Sequence, residues 1–92
     1  MEKTVNFSTK KVDETIHSLK MLCYEFEDRR MAENAVDDLA YYIFTNRATV
    51  DYLIAFCDLS KSRQRTLIKR MLRIGGSTEA NIAVSKKFLK VA

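Results

Sequence analysis

The chain contains no proline, and its only two glycines are neighbours at Gly75 and Gly76. Before residue 75, helix propagation is therefore limited only by caps and local polarity. Sandwiches and barrels, which need many turn residues, are disfavoured by the same fact. With 92 residues, 47% hydrophobic and 30% charged, there is material for one packed core and too much apolar content for intrinsic disorder. The sequence predicts a single all-α domain over 1–92, a bundle of four to five helices. Residues 1–7 are set apart as an N-terminal arm, because Val5 and Phe7 alternate with polar neighbours as in an extended segment.

The helices are placed by apolar spacing. Ser8 or Thr9 caps a first helix with the stripe Val12, Ile16, Leu19, Cys23 and Phe26. A polar patch from Glu25 to Arg30 interrupts it, and Met31, Ala35, Leu39 and Ile43 follow, flanked by Val36, Ala40 and Phe44. These two stripes fit either two helices or one kinked rod. After Thr45-Asn46, a third helix carries Val50, Leu53, Ile54 and Cys57, with Tyr52 and Phe56 beside them. Ser60 caps a fourth that runs to Ile74, closed by Gly75 in a left-handed conformation; Ser77 caps a fifth bearing Ala80, Val84, Phe88 and Val91.

No apolar run approaches the length of a membrane span, and the first residues lack the apolar core of a signal peptide, so a cytoplasmic, non-membrane protein is expected. Cys23 and Cys57 sit among apolar neighbours without CxxC or Cys/His spacing, which reads as two reduced, buried thiols.

Charge is unevenly divided. Residues 1–46 carry six basic and nine acidic side chains, a balance of −3, and residues 47–92 carry ten basic and three acidic, a balance of +7. A basic half can attract phosphate, an acidic protein surface or the acidic half of a second copy. Between Lys61 and Arg73 there are six cations and no acid. On a helical wheel Leu67, Ile68, Met71, Leu72 and Ile74 fall on one side, while Arg65, Lys69 and Arg73 line the other with Arg63 and Arg70 nearby. Such a helix can lie on a phosphate backbone with Ser62 and Thr66 as neutral donors; the competing reading is an ordinary solvated face.

Helices three and four also resemble a helix-turn-helix in pattern, with Leu59-Ser60-Lys61-Ser62 as the turn. Asp58 at the tight-turn position and Gln64 at an apolar packing position weigh against it, and a plain helical hairpin is preferred. The segment Arg73-Ile74-Gly75-Gly76-Ser77-Thr78 places glycines and hydroxyls before a helix N-terminus, where amides can bind an anion, yet it lacks the P-loop lysine and spacing and is explained by two caps.

Catalytic chemistry finds little support. His17 is the only histidine and lies on another side of its helix from Cys23; Glu14-Thr15-Ile16-His17 has the spacing of a di-iron ligand pair but no second such motif exists. Neither cofactor nor metal is expected, and the chain is read as a non-enzyme. Tyr41 and Tyr42 cannot both face inward, so one is assigned to an interface, most simply a homo-oligomer contact. The leading expectation is a binding protein whose basic half, through Arg63, Arg65, Lys69, Arg70 and Arg73, engages nucleic acid or a nucleic-acid-processing complex. The alternative is a protein-interaction module or inhibitor, regulatory or virus-encoded. It would use the acidic stretch 25–38, with Glu27, Asp28, Glu33, Tyr41 and Tyr42, to occupy a partner's basic surface.

Overall fold

A computed structural model describes residues 9–91. The extended arm at 1–7 and the Ser8 cap lie outside the described residues. Within them the chain is all helical: α1 (Thr9–Leu22), α2 (Arg29–Phe44), α3 (Val50–Cys57), α4 (Lys61–Ile74) and α5 (Thr78–Leu89), with one 3-10 turn at Cys23–Glu25.

The boundaries follow from local chemistry. α1 gives way to the 3-10 turn, and Phe26 then turns extended (φ −104°, ψ 143°), so α1 and α2 are separate helices and not a kinked rod. Asp28, Thr49, Ser60 and Ser77 each accept a hydrogen bond from the backbone N–H three residues on, which satisfies one free amide at the start of α2, α3, α4 and α5. Asn46 (φ 61°) ends the α2 segment in the left-handed region.

The left-handed cap expected at Gly75 is not there. Gly75 has φ −68° and closes α4 by donating its N–H to the Met71 carbonyl, and the positive φ of 120° falls on Gly76. Gly75 is required for another reason: a Cβ would collide with the Asn81 side chain and the Met71 carbonyl.

α2, α4 and α5 pack on one another, α1 lies across α2 and α4, and α3 contacts α1 and α5. The core gathers Leu19, Cys23, Val36, Leu39, Tyr52, Phe56, Leu67, Ile68 and Met71. α4 therefore lies against α1, α2 and α5 rather than folding back on α3, and neither the helix-turn-helix nor the simple hairpin describes the 50–74 segment. Gln64, which counted against the former, is buried and satisfied: it accepts from the Ser18 hydroxyl (2.7 Å) and donates to the Leu59 carbonyl (3.1 Å).

Several apolar faces are rotated from their expected positions. On α3, Tyr52 and Phe56 point inward at 1% and 0% exposure while Val50 and Ile54 stand more than half exposed. The helix is apolar nearly all round, so spacing alone does not choose its face; the contacts of Tyr52 with α2 and α5 do. Tyr52 meets Tyr42 edge-on at 5.2 Å, stacks with Phe56 at 6.0 Å, and shares a 2.8 Å hydrogen bond with the Ser85 hydroxyl. On α2, Ala32 and Tyr42 are buried and Met31 and Phe44 exposed. Ile74 is exposed too, off the core side of α4. On α5 the buried set is Asn81, Ser85, Phe88 and Leu89, and Ala80 and Val84 are only half-buried; Val91, expected on the fifth helix, lies beyond its end and is half-buried too.

Candidate functional site

The core side of α4 holds Gln64, Leu67, Ile68 and Met71. At 100° per residue the opposite side is Ser62, Thr66, Lys69 and Arg73, so the cationic row projects away from the bundle. The five basic residues nevertheless stand in different situations.

Arg65 is occupied. Its Nε donates to Glu25 Oε1 at 2.7 Å and its terminal nitrogen to Oε2 at 3.2 Å, a two-point grip across 40 residues. The pair is reciprocal: the Arg65 hydrogen bond holds the Glu25 carboxyl below its ordinary value, and Glu25 raises the guanidinium. Arg63 leans on α5, with its guanidinium 4.6 Å from the Phe88 ring centroid and a long 3.4 Å bond to the Phe88 carbonyl. Arg70 lies over the same ring at 5.6 Å. Lys69 and Arg73 are exposed and form no ion pair within 4.0 Å among the described residues. Thr66 is less available as a donor than expected, because its hydroxyl bonds back to the Ser62 carbonyl (3.2 Å).

α5 adds a residue that sequence reasoning missed. Lys87 lines a groove of about 250 Å³ together with Arg70, Ile74, Ala83, Val84 and Phe88. Only the packing of α5 on α4 brings it there, and the sequence offered no more than a basic last turn.

The acidic stretch is largely spent inside the fold. Glu25 binds Arg65, Asp28 caps α2, Glu33 pairs with Arg29 at 3.6 Å, and Asp37 binds Lys20 at 2.7 Å. Asp38 accepts from the Thr78 hydroxyl and the Asn81 amide, both at 3.0 Å. A carboxylate of the protein itself thus sits at the start of α5, where the Gly-Gly-Ser-Thr segment suggested an anion site. Glu27 is exposed. Asp28, Asp37 and Asp38 also line a cleft of about 580 Å³ with Asn34, and Arg30 contributes to the same lining. Of the two tyrosines, Tyr42 is buried at 7% exposure, with Lys86 5.6 Å from its ring centroid, and Tyr41 is exposed at 61%.

Glu14 and His17 are both exposed and face solvent instead of the bundle interior. Cys23 is buried, its thiol donating to the Leu19 carbonyl at 3.3 Å, and burial foremost, with Glu33 adding, pushes its pKa up to about 11. Cys57 departs from expectation in being only half-buried; desolvation raises its pKa as well, against an opposing Thr15 hydrogen bond.

The fold and this face define a small helical bundle with a cationic flank on α4 and α5. Comparison with protein-family models, curated proteins and solved structures gives no match to the chain. Among the described residues no helix is long and apolar enough to cross a membrane.

Proposed function

We propose that this is a non-enzymatic nucleic-acid-binding module whose contact face is the outer side of α4 with the adjoining flank of α5. One observation carries the reading. Lys69 and Arg73 project opposite the core with no carboxylate bound to either among the described residues, while most of the acids between Glu25 and Asp38 are tied to partners within the fold. A cation without an internal partner is free to neutralise a phosphate and release its counterion. The centre of the face is Lys69, Arg70 and Arg73 with Lys87, displaced from the row Arg65, Lys69 and Arg73 because Glu25 holds Arg65.

The test is oligonucleotide binding as a function of salt. Replacing Lys69, Arg70 and Arg73 with glutamate is expected to reduce the slope of log affinity against log salt by about 2.7 for duplex DNA, with an unchanged circular dichroism spectrum. Wild-type protein that binds neither duplex nor single strands at low salt overturns the proposal.

The cleft lined by Asp28, Asp37 and Asp38 favours a second reading, in which the protein is an interaction module or inhibitor that receives an arginine or lysine side chain of a partner protein. An arginine-rich peptide bound by the wild type and lost on Asp37→Lys, with the α4 charge-reversal variant still binding, would favour it. Self-association through exposed Tyr41 is compatible with either reading and is checked by sedimentation at low and high salt.

A further inference from the structure

The cations of α4 flank the groove between α4 and α5, and its shape narrows what kind of nucleic acid suits this surface. The walls are Arg70 and Ile74 from α4 and Ala83, Val84 and Lys87 from α5, with Phe88 packed below. The lining is apolar apart from two cations and includes no carboxylate. Its volume of about 250 Å³ lies below the range of roughly 300–1,000 Å³ that holds drug-sized ligands. A space of this volume suits one small group better than the several anchor side chains of an amphipathic helix.

We propose that the notch between α4 and α5 seats one unstacked base of a single-stranded nucleic acid, with Arg70 and Lys87 on the flanking phosphates. The inference rests on the nucleic-acid reading of the α4 face and adds the strand class to it. Three observations converge. The cations at the notch match phosphates on either side of the base it holds. The Arg70 guanidinium lies 5.6 Å from the buried Phe88 centroid, and this cation–ring contact holds its charge at the lip of the notch, where a phosphate next to the seated base is met. Ile74, a large apolar side chain at 60% exposure on an otherwise cationic flank, offers contact to a base and none to a phosphate. Paired bases inside a duplex are stacked on each other and cannot enter such a notch, whereas a single strand can splay one base out.

The test compares three probes on the full chain at one salt concentration by fluorescence anisotropy: a short oligothymidylate, an abasic strand of the same length, and a duplex. Oligothymidylate is expected to bind roughly tenfold or more tightly than the abasic strand, the scale of one stacked base. Ala83→Leu, at an exposed position where an aliphatic side chain occupies the notch without offering a ring to stack on, is expected to lower thymidylate affinity toward the abasic level, leaving abasic affinity and the helical spectrum unchanged. Equal affinity for thymidylate and abasic strands overturns the base notch and leaves the phosphate-binding face standing. Tighter binding of the duplex, or an undiminished thymidylate preference in Ala83→Leu, overturns it as well. A Glu- and Leu-rich peptide that outcompetes thymidylate and is lost in Ala83→Leu assigns the notch to a protein partner and likewise overturns it. Absence of binding to all three nucleic-acid probes removes both this inference and the reading beneath it.

Discussion

Arg65 grips both carboxylate oxygens of Glu25, tying the turn after α1 to the fourth helix across 40 residues of chain. The pair withdraws one cation from a row that is otherwise open to solvent. Glu25→Gln is therefore expected to strengthen oligonucleotide binding and to increase the salt slope by as much as about 0.9 for duplex DNA, the share of one added phosphate contact. Arg65→Glu is expected to weaken binding less than Lys69→Glu or Arg73→Glu. Anisotropy titrations of the four single variants decide it; equal losses at all three cations would mean that Arg65 leaves Glu25 when nucleic acid binds.

The same pair has a signed pH dependence. Arg65 depresses the Glu25 carboxyl in the folded state, with smaller contributions from Lys61 and Lys69. Its contribution is therefore present above the ordinary carboxylate value of 4.5 and is lost as pH falls below it. Both side chains are substantially exposed, so the effect is small and screened by salt. Denaturant melts in acid should show a wild-type loss of stability that Glu25→Gln lacks, and the gap should close in high salt.

Burial separates the two cysteines. Cys23 is expected to resist thiol reagents until the protein unfolds, and Cys57 to react measurably faster in the native state, because a half-buried thiol is reached by local opening. The Cys23 pKa is raised from 9.0 to about 11, so the folded state holds the proton more tightly. Stability from this group is full below pH 9 and declines as pH rises from 9 to about 11. Chemical denaturation across that window should show a fall that Cys23→Ala lacks. Fast native labelling of Cys23 would contradict its placement.

The rotated faces make a prediction about stability. Leu39→Ala in the core should cost about 2–5 kcal/mol, whereas Val50→Ala on the exposed side of α3 should stay within about 0.5 kcal/mol. Leu53→Ala, half-buried, should fall between them. Tyr52→Phe removes the bond to Ser85, whose hydroxyl also bonds the Ile82 carbonyl (2.7 Å), and is expected to cost about 1 kcal/mol. Urea midpoints of the four variants give the order directly, and a Val50→Ala loss equal to that of Leu39→Ala would reverse the facing of α3.

The adjacent glycines should respond to alanine for different reasons. Gly75→Ala places a methyl against the Asn81 side chain and the Met71 carbonyl, an overpacking cost of about 1–3 kcal/mol. Gly76→Ala meets no atom within 4 Å but must hold φ at 120°, a backbone cost of about 1–3 kcal/mol. Asn tolerates positive φ at about +60° rather than 120°, so Gly76→Asn should be no better than Gly76→Ala, and Gly75→Asn should likewise recover none of the loss. Thermal melts of the four variants beside wild type test this.

Helix order, the Ser60 and Ser77 caps, the inward Leu39, Leu67 and Met71, and the solvent row of Lys69 and Arg73 were all legible along the chain. Each follows from local chemistry, a hydroxyl before free amides or apolar spacing near 3.6, which a sequence displays directly. The separation of α1 from α2 was left open by the sequence and settled by the extended Phe26. Other features were decided only by tertiary structure. The face that α3 buries depends on Tyr42 and Ser85 being in reach of Tyr52, and the burial of Asn81 beside Gly75 depends on Asp38 from α2. Arg65 and Lys69 look equivalent along the chain, and only the return of Glu25 across 40 residues makes one occupied and the other open. Lys87 joins Arg70 because α5 packs on α4. Local periodicity assigns a residue to one side of its own helix; which neighbour meets that side is set by long-range packing, where one hydrogen bond or ion pair can override an ambiguous apolar pattern.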